Sequence, residues 1–158
     1  MPSVTLRPVE DADLGVFFAQ QLDGEARRMA AFTRPDLDER AAFDAHWTRI
    51  RSTPTTVTRT VLHEGKVAGY VARWLLDGQP QVSYWLGRAY WGKGVATAAL
   101  SALIAELGER PLYARAAKDN HGSRRVLEKC GFRVVGTERE FAAARGEETE
   151  GFLFELGA

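Results

Sequence analysis

The chain has one cysteine, Cys130, among its 158 residues. An internal disulfide is excluded, and a cysteine-built metal site has no second ligand of its own kind. Histidine is also sparse, with three residues widely spaced. No apolar run approaches the roughly 18 residues of a membrane-spanning helix. The N-terminal MPSVTLRPVED has no signal-peptide apolar core. Neither sign of charge is in excess: Lys plus Arg and Asp plus Glu are both 21, and the formal net charge is zero. A general nucleic-acid binder would carry a marked basic surplus. A local basic pocket for a phosphate ligand stays open. No repeat and no low-complexity tract interrupts the chain. A soluble, reduced, cytoplasmic protein is expected, without a nucleic-acid or membrane partner.

The apolar fraction of 45% and charged fraction of 27% are ordinary globular values. The length suits one domain over residues 1–158. Val4 to Arg7 reads as a strand ended by Pro8. Asp11 and Asp13 offer cap oxygens to a helix carrying Leu14, Phe17, Phe18 and Leu22 at helical spacing. Gly24 loosens the chain. A second helix is expected from near Asp36 or Asp38, with Phe43, Trp47 and Ile50 on its apolar face and His46 beside them. Three strands follow, Thr56 to His63, Lys66 to Leu76 and Gln81 to Leu86, joined by Glu64-Gly65-Lys66 and Asp77-Gly78-Gln79-Pro80 turns. A helix over Val95 to Leu107 buries Ala96, Ala99, Leu100, Leu103 and Leu107. Leu112 to Ala117 is a strand, and Asn120 opens a helix through Cys130 before Gly131. Phe132 to Thr137 is a strand, 142–150 a polar loop, and Phe152 to Leu156 a closing strand. The order β-α-α-β-β-β-α-β-α-β-β makes one mixed α/β sheet.

The segment Trp91-Gly92-Lys93-Gly94-Val95-Ala96-Thr97 joins a strand to a helix. Two glycines one residue apart let the backbone turn tightly and expose successive N–H groups. With the positive end of the helix dipole these form an anion site. Arg88 and Lys93 bring positive charge. The plain alternative is a glycine turn with no ligand. A nucleoside triphosphate site is disfavoured, because Gly94 stands where the Mg²⁺-binding hydroxyl of G-x-x-x-x-G-K-[ST] is needed.

Strand, W-G-K-G-V-A, then helix resembles the acetyl-CoA pyrophosphate loop of the GNAT superfamily of N-acetyltransferases, Q/R-x-x-G-x-G/A. Gly94 and Ala96 fill its last two fixed positions, and Trp91 stands where Gln or Arg is usual. An aromatic followed by Gly-Lys-Gly is common in the branch that includes the ribosomal-protein N-terminal acetyltransferases. Asn120-His121-Gly122-Ser123 with Glu128-Lys129-Cys130-Gly131-Phe132 is similar to the N-x-x-S…E-K-x-G-F signature of that branch. The resemblance spans 56–137 well, 1–55 by element order, and 138–158 weakly.

The resemblance implies a GNAT-like acyl-CoA N-acyltransferase fold, in which Gln81–Leu86 and Leu112–Ala117 part to admit the pantetheine arm. It implies acetyl-CoA as cosubstrate without a metal, held by Leu86, Trp91, Gly92, Lys93, Gly94, Val95, Ala96, Thr97, Asn120 and Ser123. The reaction would be direct attack by a neutral primary amine, from a protein N-terminus or a small molecule, on the thioester. The alternative is a non-catalytic acyl-CoA sensor or interaction domain of the same fold. A homodimer is among the assemblies the family allows. Asn120 is equally a plain N-cap, and Ser123 equally a small residue on a packed face. His46 and Tyr84 are candidates for taking the amine's proton, by chemistry alone. The acceptor pocket would draw on Phe32, Trp47, Tyr70, Trp74, Tyr84 and Trp85, most of them core. Cys130, beside Val126 and Leu127, reads as a buried hydrophobe and not a nucleophile. Many relatives protonate the leaving thiolate with a tyrosine four residues before the Gly of G-F. That place holds Leu127 here, so Ser123, one turn earlier, or water is left for the task.

Overall fold

The computed structural model describes residues 3–34 and 38–158. Its centre is a seven-stranded sheet in the order β1-β2-β3-β4-β5-β7-β6. The strands are β1 (Val4–Pro8), β2 (Val57–His63), β3 (Lys66–Leu76), β4 (Gln79–Leu86), β5 (Leu112–Ala117), β6 (Arg133–Ala142) and β7 (Glu147–Leu156). The helices are α1 (Asp11–Gln21), α2 (Gly24–Ala30), α3 (Arg40–Ser52), α4 (Val95–Leu107) and α5 (His121–Lys129). All neighbouring strands are antiparallel except β4 and β5.

Alternation along the strands divides the interior between the two faces. Val71, Val82, Leu86, Leu112 and Ala114 pack with Ala99, Leu100 and Leu103 of α4 and Leu127 of α5. On the opposite face Phe17 of α1 and Phe43 and Trp47 of α3 close over Tyr70 and Val67. Phe17 and Trp47 are 5.2 Å apart between ring centroids, and Trp47 meets Tyr70 edge-on at 4.9 Å. Trp47 and Tyr70 are therefore core, not pocket wall.

The one parallel junction is broken where it matters. β3 and β4 pair from Gly69 opposite Leu86 to Leu76 opposite Gln79. The β4–β5 ladder holds Gln81 opposite Tyr113 alone among the described residues. Beyond that pair β5 stays bonded to β7 as far as Ala117 opposite Gly151. β4 and β5 thus part toward their C-terminal ends, as the resemblance implies.

Several elements differ from the expectations. The first helix starts after Glu10, which is its N-cap residue, and Asp13 supplies a cap oxygen from the first turn by accepting the Glu10 amide at 2.9 Å. Asp13 also turns inward, taking hydrogen bonds from Arg7 and from the Thr60 hydroxyl, each at 2.6 Å. Gly24 begins a helix: in α2 the Asp23 side chain accepts from the Glu25 and Ala26 amides. Seven residues are too few for periodicity to announce that helix. α3 begins at Arg40, after Asp38, and Asp36 lies outside the described residues. The polar stretch over 142–150 is mostly strand. β6 and β7 run to Ala142 and Glu147 on either side of a short turn, with Arg139 opposite Glu150. Cross-strand charge pairs support this ribbon, so its polarity mimics a loop.

Candidate active site

The parted end of β4 is followed by a short 3-10 turn, Arg88–Tyr90, and then the glycine segment. Gly92 and Gly94 both take positive φ, +72° and +79°. A residue with a Cβ disfavours that region, so the two glycines are needed for the turn. Gly94 is the N-cap of α4, and no side chain caps that helix. Its carbonyl already accepts from Ala98 at 3.1 Å. The N–H groups of Val95, Ala96 and Thr97 form the unpaired first turn of a helix whose dipole ends there. Lys93 is exposed on the same turn. These groups fit a pyrophosphate, with two negative charges against bare amides and one ammonium.

Trp91 is 40% exposed and donates its indole N–H to the Leu86 carbonyl at 3.1 Å. It pins the glycine turn to the last residue of β4. Arg88 is not free to serve the loop. It forms a bidentate ion pair with Asp23, Nε lying 2.8 Å from Oδ2. The hydrogen bonds from Arg88 hold the Asp23 carboxyl below its ordinary range. Nothing in the sequence marks that pair, whose members are 65 positions apart.

Asn120 caps α5 by accepting the Ser123 amide at 3.2 Å, and its amide nitrogen donates to the Met29 carbonyl at 3.1 Å. Both ends of that side chain are committed to the fold. α2 is therefore tied at its start to the turn after β4, through Asp23 and Arg88, and at its end to the start of α5. It lies across the parted end of the sheet, a placement sequence reasoning missed.

Two of the sequence candidates meet here. Tyr84 of β4 points toward α5 and donates its hydroxyl to Ser123 Oγ at 3.2 Å. Burial pushes the Tyr84 phenol above its usual pKa. His46 is brought to a different place. It is half-buried on α3, with Nδ1 3.5 Å from an Arg34 guanidinium nitrogen. Cys130 is half-buried, its Sγ 3.5 Å from the Ser101 hydroxyl and 3.7 Å from the Thr97 carbonyl. Burial raises its thiol, which keeps it protonated and a poor nucleophile. Trp85 faces the side away from Ser123. Its buried indole N–H has no hydrogen-bond partner. Phe32 lies beneath the Arg115 guanidinium, 4.8 Å from ring centroid to Cζ.

A mixed sheet opened between its parallel strands, with an uncapped helix start beside the opening, defines an acyl-CoA N-acyltransferase fold. The acetyltransferase (GNAT) domain model matches residues 3–133, and the chain belongs to that family. The uncharacterized N-acetyltransferase p20 of Bacillus licheniformis is 30% identical over 84 residues, 51% of this chain and 47% of that protein. The chain thus matches about half the length of this curated relative. The structure of a ribosomal-protein-alanine N-acetyltransferase from Brucella melitensis superposes with a TM-score of 0.81 at 21% identity, over 98% of this chain and 99% of that one. A spermidine N-acetyltransferase from Vibrio cholerae, solved with CoA and spermine, gives 0.81 at 16% identity, over 97% and 94%. At such identities the two structures share the fold and nothing finer. Among the described residues no helix is long and apolar enough to cross a membrane.

Proposed function

We propose that the protein transfers the acetyl group of acetyl-CoA directly to a primary amine. The observation that carries this reading is the bare N-terminus of α4, presented by Gly92 and Gly94 beside the parted β4 and β5. The pyrophosphate is assigned to the amides over 92–97, with Lys93 as the adjacent cation. The pantetheine arm enters between the strands, where unpaired strand backbone can bond it as an added strand would. Gly92, Lys93, Gly94, Val95, Ala96 and Thr97 touch the cosubstrate in this reading. Leu86, Trp91 and Asn120 hold the frame around it. The Brucella and Vibrio proteins are named for protein and polyamine acceptors, so the amine class stays with experiment. The acetyl donor is an intracellular metabolite, which suits a cytoplasmic location.

The amine nitrogen attacks the thioester carbon, the C–N bond forms, and the C–S bond breaks with its electron pair on sulfur. The protein's part is to orient the thioester and stabilise charge on the oxygen and sulfur as it develops. The acceptor is an amine that makes no strong cationic demand. Of the acidic cluster Glu147, Glu148 and Glu150, Glu150 is already taken by Lys118 at 2.6 Å and Arg139 at 3.2 Å.

The test is thermal. A ligand of the native state stabilises it by about 2.7 kcal/mol at a hundredfold excess over Kd, so acetyl-CoA raises Tm. Gly94→Asp abolishes the rise, since it puts a side chain on a left-handed backbone and a negative charge in the anion site. An unchanged rise in the variant overturns the loop assignment. A panel of peptide N-termini and small amines, followed by free thiol, then names the acceptor. Thiol release that no amine accelerates, with the Tm rise intact, identifies a non-catalytic acyl-CoA sensor. A salt-sensitive preference for spermine overturns the acceptor reading.

A further inference from the structure

The backbone ladder between β4 and β5 lapses after Gln81 and Tyr113. At the parted end a side-chain bond takes its place. Tyr84, near the end of β4, reaches the first turn of α5, which follows β5 through the bond from the Asn120 amide to the Ala117 carbonyl at 3.0 Å. The bridge is the Tyr84 hydroxyl donating to Ser123 Oγ at 3.2 Å. It is the kind of contact that fixes a hydroxyl in one orientation.

The inventory at Ser123 is restrictive. Its amide is spent on the Asn120 cap. Its oxygen accepts from Tyr84. A serine hydroxyl has one donor and two acceptor lone pairs, so the hydrogen on Oγ is the group left over. Tyr84 can only fill the donor role while protonated. Its surroundings keep it so: Val82, Leu86, Leu127 and Phe154 belong to the cluster on which it packs.

We infer that Tyr84 is a positioning residue, turning the Ser123 hydroxyl so that its hydrogen faces the opening between β4 and β5 and stabilises the leaving CoA thiolate. The assignment rests on the acetyl-transfer reading above. In the step, the C–N bond forms and the C–S bond breaks. The electron pair goes to sulfur, which departs as a thiolate hydrogen-bonded to Ser123. The acceptor's surplus proton passes to water. Ser123 keeps its proton, as befits a hydroxyl too weak an acid to give it up. Cooperative chains of hydroxyls strengthen one another in a low dielectric, so the pair acts as a unit.

The first measurement needs no turnover. CoA is bound to the protein and its thiol titrated by ultraviolet thiolate absorbance, with the ligand-free protein subtracted to remove Cys130. A donor at the sulfur lowers the bound thiol's pKa. Tyr84→Phe and Ser123→Ala both bring it back toward the free value, while CoA affinity changes less than about twofold. Equal pKa values in parent and variants overturn the inference even for a protein that acetylates nothing. The second measurement uses the acceptor found above. Each single variant lowers kcat about tenfold with KM for acetyl-CoA retained, the pattern of a contact made in the transition state. The double variant loses no more than the worse single variant, and Ser123→Thr, which keeps the hydroxyl, retains most of kcat. Losses that multiply, or a Tyr84→Phe protein with parental kcat and parental Tm, overturn the role of Tyr84. A parent that binds no CoA rejects the acetyl-transfer reading itself.

Discussion

Asp13 shows how much one side chain does in this fold. It is 3% exposed and joins three elements: Arg7 of β1, Thr60 of β2 and the start of α1. Burial alone would raise its pKa. Hydrogen bonds from Arg7, Thr60 and the Glu10 amide, with the Arg7 charge, outweigh that and hold it at about 2, against an ordinary 3.8. A carboxyl depressed on folding stabilises the native state above its unfolded pKa, and the contribution fades as pH falls through the folded value. The shift corresponds to about 2 kcal/mol, present above about pH 4 and lost on the way down to about pH 2. Asp13→Asn is therefore expected to cost about 2 kcal/mol near neutrality, with the gap between variant and parent closing in acid. Denaturant titrations from pH 7 to pH 2 check it, and a gap that stays constant overturns the assignment. The sequence showed Asp13 as a cap, and it does accept the Glu10 amide. Its other partners lie on β1 and β2, and only the closed sheet brings them to it.

Among the elements, β3 approaches β4 closely at Gly69. Gly69 lies opposite Leu86, the last residue of β4, where β4 has already parted from β5. A Cβ on Gly69 would stand 2.0 Å from the Trp85 carbonyl oxygen and 2.8 Å from the Leu86 Cα, both backbone atoms. Flexible side chains could yield, but a paired strand cannot without moving. Overpacking typically costs 1–3 kcal/mol. Gly69→Ala is expected at or above the upper end, about 3 kcal/mol, with acetyl-CoA stabilisation reduced as well because the displaced strand carries Tyr84 and Leu86. Melting with and without acetyl-CoA measures both effects, and a variant with parental values in each refutes the packing argument. Strands β2 to β5 and helix α4 were readable from turn residues and apolar spacing. α2 was not, and of the β6–β7 ribbon only the parts near Phe132–Thr137 and Phe152–Leu156 were, not its hairpin end. The first is held by distant partners, Arg88 and Asn120, more than by its own seven residues. The second is stabilised by pairs such as Arg115 with Glu138 and Glu140, at 3.1 and 2.9 Å, which look like loop polarity in one dimension.

For the whole molecule, no group of three His, Cys, Asp or Glu side chains among the described residues is placed to hold a metal ion. The hydroxyl that a phosphate loop of the nucleotide type would offer to Mg²⁺ is absent, replaced by Gly94, and a thioester is already activated toward amines. Turnover is expected to be unchanged by EDTA, measured as thiol release. Loss restored by Mg²⁺ or Zn²⁺ would contradict it. What the sequence determined by itself was local. Two glycines force the turn before α4, apolar spacing makes α4 a core helix, and turn residues shape the β2–β3–β4 meander. Backbone conformation and burial act over a few neighbours, so a linear reading reaches them. The tertiary structure alone decided the rest. It sent Arg88 to Asp23, laid α2 across the parted strands, sent His46 toward Arg34, and joined Tyr84 to Ser123. Each of those depends on the order and twist of strands far apart in the chain. A hydrogen bond needs a donor within about 3 Å of its acceptor, a distance that sequence separation does not encode.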